Sequence, residues 1–189
     1  MKNTLSCLFI LLVLSLASHP ASAAGEHKPF DVLNDSNFKK VTKNVSAANR
    51  LELGATLNIA LRQYEQAIPI LEALVRKQPT RADLWFLLAK AYNRVNEPRE
   101  AYDAANIAMT LKPGMPFYPI ERGIASFQLG KDREAVQDLS RYVKSFTTSA
   151  EAHYYLGLAQ VRLGDLDSAR TNLLKTRSLN PNMELLTDY

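Results

Sequence analysis

An all-α solenoid of four stacked helix-turn-helix repeats is the fold class this 189-residue sequence predicts, and two recurrences predict it. Ala67, Ala101, Ala135 and Ala169 stand 34 residues apart, and Pro79, Pro113 and Pro181 fall on the same grid, with Thr147 in the missing place. A period of 34 with helical apolar patterning marks paired antiparallel helices, each pair packing mainly on its neighbours. The repeats are expected at 48–81, 82–115, 116–149 and 150–183, followed by a tail at 184–189.

The chain ahead of the array has another character. Lys2, an apolar run from Leu5 to Ala17 and then Ala21-Ser22-Ala23 read as a signal peptide over 1–23, cleaved after Ala23. The run is short for a spanning helix, which takes about 20 apolar residues. The expectation is a periplasmic or secreted protein, with an uncleaved membrane anchor as the alternative. Cys7 is the one cysteine and lies inside that run, so the exported chain has none, which suits an oxidising compartment and excludes a disulfide framework. Residues 24–47 are polar and read as a linker. Within them Asp35 or Ser36 is expected to cap a short helix carrying Phe38, Val41 and Val45 on one side, which would cover the open end of the first repeat.

Each repeat then follows one physical logic. Small residues at Ala55, Ala89, Gly123 and Gly157 let the second helix approach the first, and the alanines of the grid do the reciprocal job; larger side chains there would overpack the seam. Asn96-Glu97-Pro98, Gly130-Lys131-Asp132 and Gly164-Asp165 signal the turns inside the repeats, and Pro79, Pro113 and Pro181 end the second helices. Pro69 falls inside a second helix and predicts a kink or a late start. Pro116 and Pro119 are expected in the first turn of the third repeat's first helix, where a missing N–H is tolerated.

The second repeat, with Trp85, Leu88, Ala89, Tyr92, Ala101, Ala108 and Pro113, resembles the tetratricopeptide repeat family. The fourth repeats the pattern with Leu156, Gly157, Gly164, Ala169 and Pro181, and the first with Leu51, Ala55, Ala67, Leu71 and Pro79. The third is loosest, keeping Gly123, Gly130, Ala135, Leu139 and Tyr142 but placing Pro119 and Arg122 where apolar residues are expected. The resemblance implies a right-handed solenoid whose first helices line a concave groove for a peptide or helix of a partner. Carried over, that face comprises Glu52, Thr56 and Ile59; Asp83, Phe86, Lys90 and Asn93; Phe117, Ile120, Ile124 and Phe127; and Tyr154, Leu158 and Val161.

The stripe Phe117, Ile120, Ile124 and Phe127 admits two readings. Exposed, it is a docking site for an apolar segment; turned inward, it is ordinary core. Folding of Phe38, Val41 and Val45 into the groove is a third option. The family's cationic clamp for a terminal carboxylate is not reproduced, since Lys90 fits it but Phe86, Glu121 and Glu151 occupy other clamp places.

No catalytic constellation can be assembled. The exported chain holds His27 in the linker and His153 at a packing position, and Asp165 and Asp167 stand at a turn, where Asp caps a helix. No metal site, cofactor or enzymatic activity is expected. The net charge of +4 is interleaved along every repeat, which argues against a nucleic-acid partner, although Lys28, Lys39, Lys40 and Lys43 could lend weak attraction to anionic membrane lipid. The expected function is that of an exported adaptor or chaperone binding a segment of a partner protein. For an exported member, the resemblance implies service in assembly of pili, secretion systems, polysaccharide export or cytochrome maturation. The alternatives are a self-associating structural protein, such as a homodimer, and a non-catalytic accessory subunit of an enzyme complex.

Overall fold

The computed structural model describes residues 31 and 33–182, which fold into nine helices and no strand. These are α1 (Ser36–Val41), α2 (Ala47–Ala60), α3 (Tyr64–Lys77), α4 (Ala82–Arg94), α5 (Pro98–Leu111), α6 (Pro119–Gln128), α7 (Asp132–Ser145), α8 (Ala150–Arg162) and α9 (Leu166–Leu179). The expected signal peptide, the start of the linker and the tail at 184–189 lie outside the described residues. None of the helices is long and apolar enough to cross a membrane. The chain divides into two compact parts, residues 1–70 and 71–189, with the boundary inside α3.

In the first part, the Asp35 carboxylate caps α1 by accepting the Phe38 N–H at 2.8 Å, and the Ser46 hydroxyl caps α2 through Asn49 N–H. Phe38 is fully buried with Leu57, against Leu33, Leu53 and Leu61. A Cβ on Gly54 would run into the Leu33 side chain, so the glycine makes room for this contact. Leu53, Leu57 and Leu61 recur every four residues on a face of α2 other than that of Glu52, Thr56 and Ile59. Phe38 thus closes the side of the helix and not the expected groove face. Of the two outcomes expected at Pro69, a kink or a late start, the late start does not occur. Helix α3 starts at Tyr64 and runs on through Pro69. Both Pro69 and Glu65 are exposed, so the carbonyl that loses its donor stays open to water.

The second part holds the end of α3 and three helical hairpins, α4–α5, α6–α7 and α8–α9, in which each first helix also packs on the next one, α4 on α6 and α6 on α8. Helices α3, α5 and α9 each stop two residues before a proline of the grid, and α7 stops two before Thr147. The Trp85 indole N–H donates to the Pro79 carbonyl at 2.9 Å, tying the first helix of its repeat to the turn before it.

Every repeat closes its internal turn in the same way. Arg62, Asn96, Gly130 and Gly164, again 34 apart, have φ of 60°, 61°, 74° and 80°. The next residue's N–H reaches back five places, Gln63 to Asn58, Glu97 to Tyr92, Lys131 to Ser126 and Asp165 to Gln160, at 2.8–2.9 Å. Each left-handed residue itself donates three places back, to Ile59, Asn93, Phe127 or Val161. These are the paired bonds of a Schellman stop, which absorb the last carbonyls of the first helix.

Volume is balanced at the seam. A Cβ on Gly123 would lie 2.7 Å from Leu139 Cγ, and one on Gly157 would lie 2.8 Å from Leu173 Cγ. In the second repeat Ala105 holds the place of those leucines, and the first helix there carries Ala89 in place of glycine.

Candidate functional site

The stripe of the third repeat is not the open surface that one of its readings required. Helix α6 touches α4, α5, α7 and α8, so it is enclosed on nearly every side. Ile124 is 0 % exposed, and Ile120 and Phe127 show only an edge. Gly123, Ala125 and Ser126, on the other side, are buried as well. Phe117 is not on the helix at all. A helix begun at 116 would bring the ring of Pro119 against the carbonyl of Met115, so α6 starts with Pro119 in first position and leaves Pro116 and Phe117 in the preceding turn.

Phe117 instead forms an aromatic trio with Phe86 and Tyr118. Its ring meets Phe86 edge-on at 5.4 Å and Tyr118 at 4.7 Å, while Phe86 stacks on Tyr118 at 5.3 Å. Ile120, Ile124 and Phe127 join Tyr154 and Leu158 in one cluster, with half-buried Phe86 and Tyr155 packed against it. Of the expected face, therefore, α4, α6 and α8 contribute one apolar wall. Ile124 is its interior, while Ile120, Phe127, Tyr154 and Leu158 keep narrow exposed edges. Lys90 is half-buried on α4, and Val161, at the end of α8, is 36 % exposed.

Polar groups lie across this wall. Asn93 is buried and donates both amide hydrogens to Glu121. Arg94 pairs with Glu151 at 2.7 Å, joining α4 to α8. The Arg162 guanidinium lies 3.9 Å from the centre of the Phe127 ring, donates to the Phe127 carbonyl at 2.8 Å and reaches Asp132 at 3.3 Å. Glu121 is 3 % exposed. Burial pushes its carboxyl up, against Arg94, the Asn93 bond and Lys90, with the charge of Glu151 adding to the rise.

The sequence reading placed Glu121 only as a misfit in the clamp. The signal for its role is the 34-residue column that it shares with Leu53, Leu87 and Tyr155, where it is the charged member. Arg122, the second misfit of the third repeat, reaches sideways to Asn106 Oδ1 at 2.9 Å and to Asp138. Tyr92 links the second repeat to the end of the first, donating its hydroxyl to Glu72 of α3 at 2.6 Å. His153 is buried, with Nδ1 at 2.8 Å from Asn172 Oδ1 and Nε2 at 3.2 Å from the Thr147 carbonyl, as befits a packing position. Asp165 caps α9 through Ser168 N–H. Among the described residues no group of three His, Cys, Asp or Glu is arranged to hold a metal.

The tetratricopeptide repeat family model matches residues 54–116 and 120–181. Among solved structures, a crystal structure of MamA shares 21 % identity with a TM-score of 0.61, over 76 % of this chain and 85 % of that one. YrrB, described as a TPR protein with an unusual peptide-binding site, shares 19 % with a TM-score of 0.61, over 78 % and 77 %. MamA from Desulfovibrio magneticus RS-1, residue 41 to the end, shares 18 % with a TM-score of 0.61, over 71 % and 76 %. At these identities the likeness is one of fold. Among curated proteins none matches the sequence.

Proposed function

Because the chain belongs to the tetratricopeptide repeat family, we propose that it is an exported interaction scaffold, an adaptor or chaperone that holds one segment of a partner protein against the wall of α4, α6 and α8. The observation that carries this reading is the single cluster in which Ile120, Phe127, Tyr154 and Leu158 keep narrow exposed edges beside Phe86, with half-buried Lys90 and exposed Val161 on the same helices α4 and α8. Apolar edges set among fixed polar groups suit an amphipathic helix or an extended segment. The peptide-binding site named for YrrB, on an array of similar fold, supports a peptide as the occupant. Export rests on Lys2, the run Leu5 to Ala17 and Ala21-Ser22-Ala23. Assembly of an envelope complex is the role that the family resemblance implies for an exported member.

Photoreactive residues at Lys90 and Val161, in the native host, test the wall. The reading expects the same partner from both positions and none from Arg141, an exposed residue of the second helix α7. Capture of one species equally from all three positions would defeat it. N-terminal sequencing of the mature protein tests export, with Ala24 as the expected first residue.

A second reading, self-association, is favoured by one observation. The exposed large apolar side chains among the described residues, Val161, Leu163, Leu166 and Leu174, all belong to α8, α9 and the turn between them, with Leu166 64 % and Leu174 55 % exposed. Light scattering over a range of concentrations tests it; a mass that stays that of one chain excludes the dimer.

A further inference from the structure

The seam between α4 and α6 holds an oxygen that finds no donor. The Asn93 amide nitrogen lies 2.8 Å from the backbone carbonyl of Glu121 and 2.8 Å from its Oε2. A backbone carbonyl can only accept, so the atom facing it is the NH2 and the amide's orientation is fixed. Asn93 Oδ1 is then the other end of the group, buried and unbonded. The side chain that the other end of this amide already touches is Glu121, itself almost wholly buried. As a carboxylate Glu121 only accepts, and it cannot help that oxygen. As a neutral acid it carries one O–H.

We propose that Glu121 is protonated in the folded chain and gives its O–H to Asn93 Oδ1, closing an acid–amide pair that ties the second repeat to the third and opens when the proton leaves. The acid oxygen already accepts from the Asn93 amide, and the O–H supplies the return bond. The proton is taken from water as the seam closes. Lys90 and Arg94 of α4 favour the anion, but Arg94 is held by Glu151 of α8. The charge of Glu151 favours the acid, and Tyr142 of α7 and Tyr155 of α8 both feel the Glu121 site. Desolvation outweighs the two cations and favours the acid.

The sign of the pH dependence follows. Below the ordinary glutamate value both the folded and the unfolded chain hold this proton, and the pair contributes in full. Between that value and the raised one the folded chain keeps a proton that the unfolded chain has released, so stability falls as pH rises. Above the raised value both have lost it and the curve is flat.

Glu121→Gln supplies an amide N–H where the acid had its O–H and cannot ionise. The folding equilibrium of the wild type, divided by that of E121Q, should fall about tenfold per pH unit inside the window and be level on either side. Carboxyl carbon NMR of the full wild-type chain, with Glu121 assigned through its backbone, gives a direct reading that does not need the variant to fold. The expected result is a Glu121 resonance that keeps its neutral-acid position to a pH above that of a glutamate in an unfolded chain. A resonance already at the carboxylate position there overturns the proposal, as does an E121Q stability curve parallel to that of the wild type.

Discussion

The guanidinium of Arg122 holds the carboxylate of Asp138 through two parallel bonds, Nε at 2.6 Å and Nη2 at 2.7 Å, while its third nitrogen reaches Asn106. The family pattern expects an apolar side chain at 122. Here a single long cation braces α6 against its own partner α7 and against α5 of the preceding repeat. The Asp138 side chain is only 3 % exposed, so the brace takes the place of the water it lacks.

Removing one member should be costly. Arg122→Leu restores the expected pattern at 122 but leaves a buried carboxylate unpaired, for a loss of about 3–5 kcal/mol. Arg122→Leu combined with Asp138→Leu should recover most of it, because no charge is then stranded. Urea unfolding of the two variants checks this; equal losses in both would show that the ion pair itself was stabilising.

Gly123→Ala improves helix propensity by about 1 kcal/mol, yet it should destabilise the chain. The new methyl would lie 2.7 Å from Leu139 Cγ and 3.3 Å from Asp138 Cβ, and Leu139 is fully buried with nowhere to swing. Overpacking of this kind costs about 1–3 kcal/mol. Adding Leu139→Ala imitates the Ala89 and Ala105 combination of the second repeat, and it should cost less than Leu139→Ala does in the wild type. A double-mutant cycle measures that difference.

At the turns the expected effects have opposite signs. Arg62 is exposed and sits at φ 60°, so Arg62→Gly should stabilise by about 1 kcal/mol through relief of the left-handed backbone. Gly130→Ala, at φ 74° with nothing near its missing Cβ, should lose about as much. Thermal melts of both variants suffice, and a shift in the same direction for both would contradict the account.

Two groove-face substitutions should separate core from surface. Ile124→Glu places a carboxylate in a fully buried position and should unfold the third repeat. Val161→Glu, at an exposed margin, should leave the melting curve near that of the parent and weaken partner capture. Circular dichroism alongside the crosslinking experiment reads both.

Much of this fold was legible because its determinants are local. The prolines at 79, 113 and 181, the glycines at 130 and 164, and the caps at Asp35 and Asp165 act within a turn or two of themselves. Arg62 and Asn96 adopt the same left-handed geometry without glycine, so composition alone did not mark the first of them. The wall was harder to read. A helical stripe shows which residues share a face, but the orientation of that face is set by what packs on it, and α6 is surrounded. Phe117 left the stripe because two prolines three residues apart allow only one helix start. Glu121 and Arg122 were visible only as misfits, since the partners that give them roles lie on other helices.

The stop repeated at Arg62, Asn96, Gly130 and Gly164 draws its hydrogen bonds from the backbone alone. Such a joint needs no side chain as a bonding partner, so any duplicated stretch of one period would carry its own stop with it. Growth by copying, or shortening by deletion of a whole period, is thus open to this gene at each of four joints without the invention of a new turn.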